Sequence, residues 1–423
     1  MAHILVIGAS TGGLSAAYEA RSQLGDEHKI TVVSNRPLFH FIPSNPWIAV
    51  GWRTRRDTTF EILPRLRAKN IKFLTDTVTE ICADDSYVLL GDDSHLDYDY
   101  LIVSAEVILD FDNVEGLGPD GFTESICTLE QSEAAYEAWR QFIKKPGPIV
   151  IGAVQKASCF APAYELAFIL NHALRKAKIR NQVPITFVTA EPYLGHMGVA
   201  GIGDSKGLFE SEFRMNDIKW IANARVKQIE AGKMLVEEVN AQAEHVKTHQ
   251  LPFDYSMMMP AFKGPECLAG LDSAAINSRG FLKVNEYQQN LKYPNIFGVG
   301  TCVAIAPVEA TPVAVGVPKT AYMIETMATA AVSNIKLAIE QKELAVKGTW
   351  GAMSLADLGH SAIAFVAVPQ NPPRNKVWMK KSKFFRLVKK ALEKYYIFKL
   401  KYGLTEPVYE KYIMKLLGLE RLK

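Results

Sequence analysis

The chain of 423 residues is poor in cysteine, with only five, and no two of them stand at CxxC spacing. Cys82, Cys127, Cys159, Cys267 and Cys302 therefore give neither a disulfide framework nor a zinc motif. Scattered free thiols suit a reducing, cytoplasmic location. No run of about 18 apolar residues occurs, so no membrane span is expected. The opening MAHILVIGAS enters a strand at once, so no secretory leader is expected. A net charge of only +3 excludes a chain that is basic throughout. There is no low-complexity stretch. Hydrophobic residues at 48% and charged residues at 22% are ordinary for a globular protein, and the length suits two or three domains.

What charge there is lies unevenly. Residues 374–423 hold 15 Lys/Arg against 4 Asp/Glu, a local +11, while residues 1–373 carry 33 against 41, or −8. An acidic body with a basic tail points to a surface-binding end. In that tail Phe384, Phe385, Leu387, Val388, Leu392, Tyr395 and Tyr396 recur among lysines at near-helical spacing. A lysine-rich polar face with an aromatic apolar face suits an anionic membrane surface. The alternative is an ordinary helix packed on the body. No recognition module accompanies the charge, so nucleic acid is not an expected partner.

The segment HILVIGASTGGLSAAYEA reads as strand, tight turn and helix. Ile4–Ile7 is a short β-branched run of the kind found in a central parallel strand. KITVVSN follows at βαβ distance and places Gly8, Ala9, Ser10, Thr11, Gly12 and Gly13 on a phosphate-binding turn. Two positions depart from the dinucleotide fingerprint: Ser10 replaces the middle glycine, and Ser34-Asn35 replace the acidic residue after the second strand. Either Ser34 or Asn35 can still reach a ribose. The alternative here is a nucleotide-like fold with an empty site.

Further on, FEILPRLRAKNIKFLTDTVTEI reads as helix then strand, and YVLLGDDSHLDYDYLIVSAEV as a hairpin and a returning strand. A second doubly wound unit starts at GPIVIGAV, with PITFVTAE as its next strand, and YPNIFGVGTCVAI reads as a late buried strand. A long Ala- and Met-rich helix is expected from about Val315 or Pro318. The fold class is therefore α/β, two Rossmann-like dinucleotide-binding domains with a C-terminal amphipathic membrane-binding section. The expected division is 1–105 as the first part of one dinucleotide-binding domain, 106–290 as a second Rossmann-like domain, 291–345 as the return segment to the first, and 346–423 as a separate C-terminal section.

In the second unit the turn GAVQKAS holds Gly152, Val154 and Ala157 at the fingerprint positions. A side chain at Val154 bars the close backbone approach that a pyrophosphate needs, which argues against NAD(P)H. Cys159 follows in ASCFAPAYE, with Glu165 six residues on. If the turn opens a helix, the helix N-terminus is expected to lower the thiol pKa and favour thiolate. The alternatives are an inert buried thiol at Cys159 and a surface carboxylate at Glu165.

The N-terminal turn, FIPSNPWIAVGW, ESICT, ASCFAPAYE, EPYLGHMG, TPVAVGVPKTAYMIE, GTW and EPVYEK together resemble the sulfide:quinone oxidoreductase family, along the whole chain. The resemblance implies a peripheral flavoprotein in which a cysteine pair beside FAD takes up sulfide as persulfide and passes electrons to a membrane quinone. It implies Cys159 as the thiol, Glu165 as its base, Cys127 in sulfur transfer or release, and His196 near the cysteines. It implies FAD held by Gly8, Ser10, Thr11, Gly12 and Gly13, by Ser34 and Asn35, by Thr77 and Val78, and by Gly300, Thr301 and Lys319. Lys319 is expected to open a helix aimed at the flavin, where its charge favours the reduced anion. Tyr409 and Lys389 are implied at the quinone, and the cytoplasmic face of the cell membrane as the location, with a homo-oligomer left open.

The pattern breaks at Ser354, which stands in GTWGAMSLADLG, in the loop where the family has its other redox cysteine. A hydroxyl forms neither disulfide nor persulfide. Ser104-Ala105-Glu106 also replaces an Ala-Thr-Gly turn, and Gly300-Thr301 a Gly-Asp pair. Gln131 stands where related sequences can have histidine. Three readings stay open: a sulfide:quinone oxidoreductase with altered or impaired activity, a type II NAD(P)H:quinone reductase, and a non-catalytic membrane-peripheral homologue.

Overall fold

The computed structural model describes residues 1–422. Its first sheet has five parallel strands in the order Ile296–Gly298, Tyr100–Val103, His3–Ile7, Lys29–Ser34, Lys72–Thr75. The central strand pairs with both neighbours in parallel register, Val6 opposite Val32 on one side and Ile102 on the other. Such strands are covered on both faces, which is why Ile4, Leu5 and Val6 are wholly buried. The helix Thr11–Leu24 leaves the first strand and packs with the helix Ala321–Ile339, Leu14 and Ala17 sharing a core with Met327 and Ala331. Gly13 is required by that packing, because a Cβ there would lie 1.9 Å from the Gly8 carbonyl oxygen.

A second parallel sheet runs in the order Ile218–Ile221, Ile185–Thr189, Ile149–Ala153, Tyr255–Met259. The two Rossmann-like sheets and the late strand return to the first are as the sequence implied. The fingerprint turn of the second sheet is closed by the chain itself. Val154 is buried in the core, the Lys156 N–H donates to the Ala314 carbonyl at 2.6 Å, and the Gly316 N–H donates to the Ala157 carbonyl at 2.7 Å. The extended segment Pro312–Pro318 thus lies across the turn where a pyrophosphate would sit in a dinucleotide domain. The long helix starts at Ala321 rather than Val315 or Pro318, with Thr320 as its cap. Pro318 disfavours helical backbone at Val317, and Gly316 is a poor helix former, so the start is delayed.

The C-terminal section begins with an antiparallel sheet of Ala352–Asp357, Ala362–Val368 and Lys376–Ser382. Helices Lys383–Tyr402 and Val408–Leu417 follow. The longer helix faces two ways. Lys389, Glu393, Tyr396, Lys399 and Leu400 are buried against the body, whereas Phe384, Leu387, Phe398 and Tyr402 are 49–65% exposed. Among the described residues no helix is long and apolar enough to cross a membrane.

A buried charge cluster fastens this section to the first domain. Lys399 Nζ lies 2.8 Å from Glu325 and 2.9 Å from Glu410. Arg421 reaches Glu325 at 3.1 Å, Glu410 at 2.8 Å and Glu19 at 3.4 Å. Glu19 and Glu325 belong to the two packed helices of the first domain, and the other three groups come from the last 25 residues of the chain.

Candidate active site

One cavity of about 1050 Å³ runs from the first fingerprint turn to the C-terminal helix. Its first end is formed where parallel strands finish, the usual place for a nucleotide in such sheets. Gly8, Ser10, Thr11 and Gly12 line it, with Ser34, Asn35, Thr77 and Val78 beside them. The helix that starts at Thr11 presents first-turn N–H groups, which have no intrahelical acceptor, at this end. A serine is therefore tolerated at position 10, since Ser10 is the extended residue ahead of the helix, with φ −81° and ψ −166°. Gly13 does not line the cavity; its part is the helix–strand contact described above. Glu106, which stands where the family's Ala-Thr-Gly turn has glycine, lines the cavity and pairs with Arg36 at 3.2 Å, so its charge is offset. Gly300, Thr301 and Lys319 line the same cavity. Lys319 precedes the helix cap, its Nζ lies 5.0 Å from the Phe281 ring centre, and burial lowers its pKa to about 8.

The other end brings together Cys127, Cys159, Glu165, Ser354 and Lys389. Cys159 sits between strand Ile149–Ala153 and helix Ala161–Lys176, just ahead of Phe160 at the helix cap. Cys127 closes the loop before helix Leu129–Phe142 and is near enough for the charge of one thiol to act on the other. Both keep part of their surface toward the cavity. Burial pushes the Cys159 thiol up to about 11 and the Cys127 thiol up to about 12. This corrects the expectation of a lowered Cys159 pKa: desolvation in this pocket outweighs the helix terminus. Gln131 is structural, completing a capping box with Thr128 and accepting from the Ser125 hydroxyl at 2.9 Å.

Ser354 lies on a strand rather than in a loop, opposite Phe365, and lines the cavity. Glu165 is bonded to the Lys389 ammonium. Burial raises Glu165 to about 7, against the opposing pull of the Lys389 charge. Two expected site residues fall elsewhere. His196 is buried off the cavity wall, accepting from the Gly198 N–H at Nδ1 (3.2 Å) and donating from Nε2 to Glu309 at 2.9 Å. Tyr409 is half exposed and off the cavity, whereas Tyr396, six per cent exposed and stacked at 5.9 Å on Phe41, lines it.

Residues that sequence reasoning did not single out complete the wall. Trp47 has two cations near its ring centre, Arg53 at 4.6 Å and Lys389 at 4.9 Å, and its Nε1 donates to Asp357 at 3.0 Å. The signal was FIPSNPWIAVGW, an aromatic, proline-rich loop with no charge.

The turn glycines, the helix amides and the length of the cavity fit a dinucleotide, and the thiols at its far end fit a redox centre. These are the marks of a flavin-dependent disulfide reductase scaffold. The pyridine nucleotide-disulphide oxidoreductase family matches residues 2–331, and the chain belongs to it. It is 40% identical over 418 residues to the sulfide-quinone reductase of Aquifex aeolicus (strain VF5), covering 98% of this chain and 94% of that one. The X-ray structure of the sulfide:quinone oxidoreductase from Aquifex aeolicus superposes with a TM-score of 0.96 at 39% identity, covering 100% and 97% of the two chains. The mitochondrial sulfide:quinone oxidoreductase of Mus musculus is 24% identical over 319 residues, covering 71% of this chain and 65% of that one. Within its family the chain is thus a member of the sulfide:quinone oxidoreductases. NDH2 of Plasmodium falciparum shares the fold alone, at TM-score 0.71 and 15% identity, covering 97% of this chain and 99% of that one. FAD is the cofactor.

Proposed function

We infer that this chain oxidises sulfide and passes the electrons to a membrane quinone. The observation that carries the reading is a single cavity with a dinucleotide cradle at one end and Cys159, Glu165 and Lys389 at the other. FAD, when bound, supplies the two-electron relay between donor and acceptor. Cys159 takes the sulfide sulfur, forming the S–S bond of a persulfide, and Glu165 accepts the sulfide proton. Cys127 is the second sulfur acceptor, since Ser354 cannot form an S–S bond. The turn closed by Pro312–Pro318 speaks against NAD(P)H as donor.

The test is an anaerobic spectral titration of purified protein. Sulfide is expected to bleach the flavin and a short-chain quinone to restore its colour, while NADH leaves it oxidised. A yellow protein that ignores sulfide would sink the reading.

The C-terminal section, residues 346–423, is assigned the quinone and membrane contacts. Leu392 and Tyr396 give the cavity an apolar wall on the same helix whose outer face carries Phe384 and Leu387. Exposed Lys390 and Lys394 border that outer row, so apolar insertion and attraction to anionic lipid act together. The protein is placed peripherally on the cytoplasmic face of the cell membrane. Changing Phe384 and Leu387 together to Glu is expected to weaken binding to anionic vesicles by about 10-fold or more in a sedimentation assay. Thermal stability should hold, because the two side chains are 64% and 65% exposed.

A further inference from the structure

One buried carboxylate of the second sheet has no part in the reaction described above. Glu191 follows the strand Ile185–Thr189 by two residues, at the end of a second Rossmann-like strand, where a dinucleotide domain carries the acid that holds a ribose. Here it is wholly buried. Its two oxygens accept from the Tyr164 hydroxyl at 2.8 Å, the Thr189 hydroxyl at 2.7 Å and the Met197 N–H at 2.6 Å. Among the described residues no cation is bonded to it. The bond to Met197 reaches the loop of residues 195–203. In that loop Met197 and Ala200, neither of them glycine, both hold a φ of +58°. Side chains seldom adopt this left-handed backbone, and it persists only where the surroundings over-determine it. They do so from two sides. From the second sheet, Glu191 takes the Met197 N–H, and the Tyr164 hydroxyl accepts the Gly195 N–H at 2.8 Å. From the C-terminal section, Arg374 donates to the Val199 and Gly201 carbonyls.

The loop so held is part of the cavity. Met197, Val199 and Ile202 line it, and they belong to the apolar cluster against which Cys127 and Cys159 pack. Gly198 lies on the extended segment Pro312–Pro318: a Cβ there would stand 2.1 Å from the Gly316 carbonyl oxygen. Gly316 in turn lies on Ser158, the residue before Cys159, where a Cβ would stand 2.1 Å from the Ser158 hydroxyl oxygen. Loop, segment and thiol turn are thus stacked with no room for a side chain at either glycine. Resting on the reading of the cavity just given, we propose that Glu191 is a positioning residue for the Cys159 site. The acid that would hold the ribose of a second dinucleotide anchors instead the loop on which this stack rests, and so sets how widely the thiol opens to the cavity. Its part is to accept hydrogen bonds, so a neutral side chain of the same shape should serve.

The test reads access and reaction separately. In the FAD-loaded protein, Cys159 is labelled with methyl methanethiosulfonate and, in a second run, with the bulkier dithiobis-nitrobenzoate, and its modification is followed by mass spectrometry. The ratio of the two rates cancels any change in thiol ionisation and reads access alone. E191A is expected to raise the bulky-to-small ratio by about 10-fold, because the loop is released. It should also slow bleaching by sulfide by about 10–100-fold at unchanged flavin content, since the thiol is no longer held in place. E191Q keeps an amide oxygen for the Met197 N–H while the two hydroxyls turn to accept, so both readouts should return to near wild type. If E191A does not fold, Y164F, which removes one partner of Glu191 and keeps the ring, is expected to move the ratio in the same direction. A wild-type ratio in folded E191A or in Y164F overturns the proposal, and so does an E191Q as impaired as E191A. Wild-type protein that ignores sulfide overturns the functional reading, while the labelling ratio still decides whether Glu191 is the anchor.

Discussion

Cys159→Ala is expected to abolish sulfide-dependent bleaching, with a rate loss of about 1000-fold or more, on the order of 4 kcal/mol of barrier. The loss is large because the thiol forms the bond that holds the oxidised sulfur, and nothing else at that point of the wall can. Cys127 shares the cavity, but the sequence places it on a different loop. Ser354 contributes only a hydroxyl, so Ser354→Ala should change little and serves as the control. Because burial pushes the Cys159 thiol up to about 11, the resting thiol is mainly protonated at neutral pH. The wild-type bleaching rate should therefore climb with pH well beyond the Glu165 range. Stopped-flow spectroscopy on the alanine variant with intact flavin content decides the matter, and bleaching within tenfold of wild type would remove Cys159 from its assigned role.

Arg421→Met should cost about 3–5 kcal/mol of local stability, as expected when one partner of a buried ion cluster is removed. The change leaves Glu19, Glu325 and Glu410 with Lys399 as the remaining buried cation of the cluster. All four are sheltered from solvent, so salt cannot screen them as it would a surface pair. The damage should appear first in the last two helices, since Arg421 ties their end to the first domain. Hydrogen exchange is expected to rise in residues 383–417 while the strand His3–Ile7 stays protected. Uniform protection in both regions would show that the cluster does not hold the section down.

Much of this fold was legible from local pattern. Ile4–Ile7 and Ile149–Ala153 are continuous apolar runs before tight turns, and buried parallel strands read that way without partners being known. Val315–Pro318 misled because it is as apolar as the helix after it; Gly316 and Pro318 keep it extended. Cys127, Cys159, Glu165 and Ser354 were found through motifs, and all four line the one cavity. His196 was not separable from a site residue, because its partner Glu309 lies 113 positions away. Lys389 was implied at the quinone and does line the cavity, but its partner Glu165 was not legible, nor was the inward turn of Lys399 to Glu325. Pairings between residues so distant in sequence leave no periodic trace. Tyr396, not Tyr409, reaches the cavity for the same reason: helix phase shows which residues share a face, but not which face meets the body.

The strap of Pro312–Pro318 over the second turn has a wider consequence. In a two-dinucleotide scaffold the second turn is the socket through which soluble reductant would be plugged in. Here backbone from the same chain already occupies that socket, joined at Lys156 and Ala157. On the function proposed above, electrons enter as sulfur chemistry at Cys159 rather than from a nicotinamide seated on that turn. A scaffold with two dinucleotide-type sheets is thereby left with a single open cradle, the one at Gly8–Gly12.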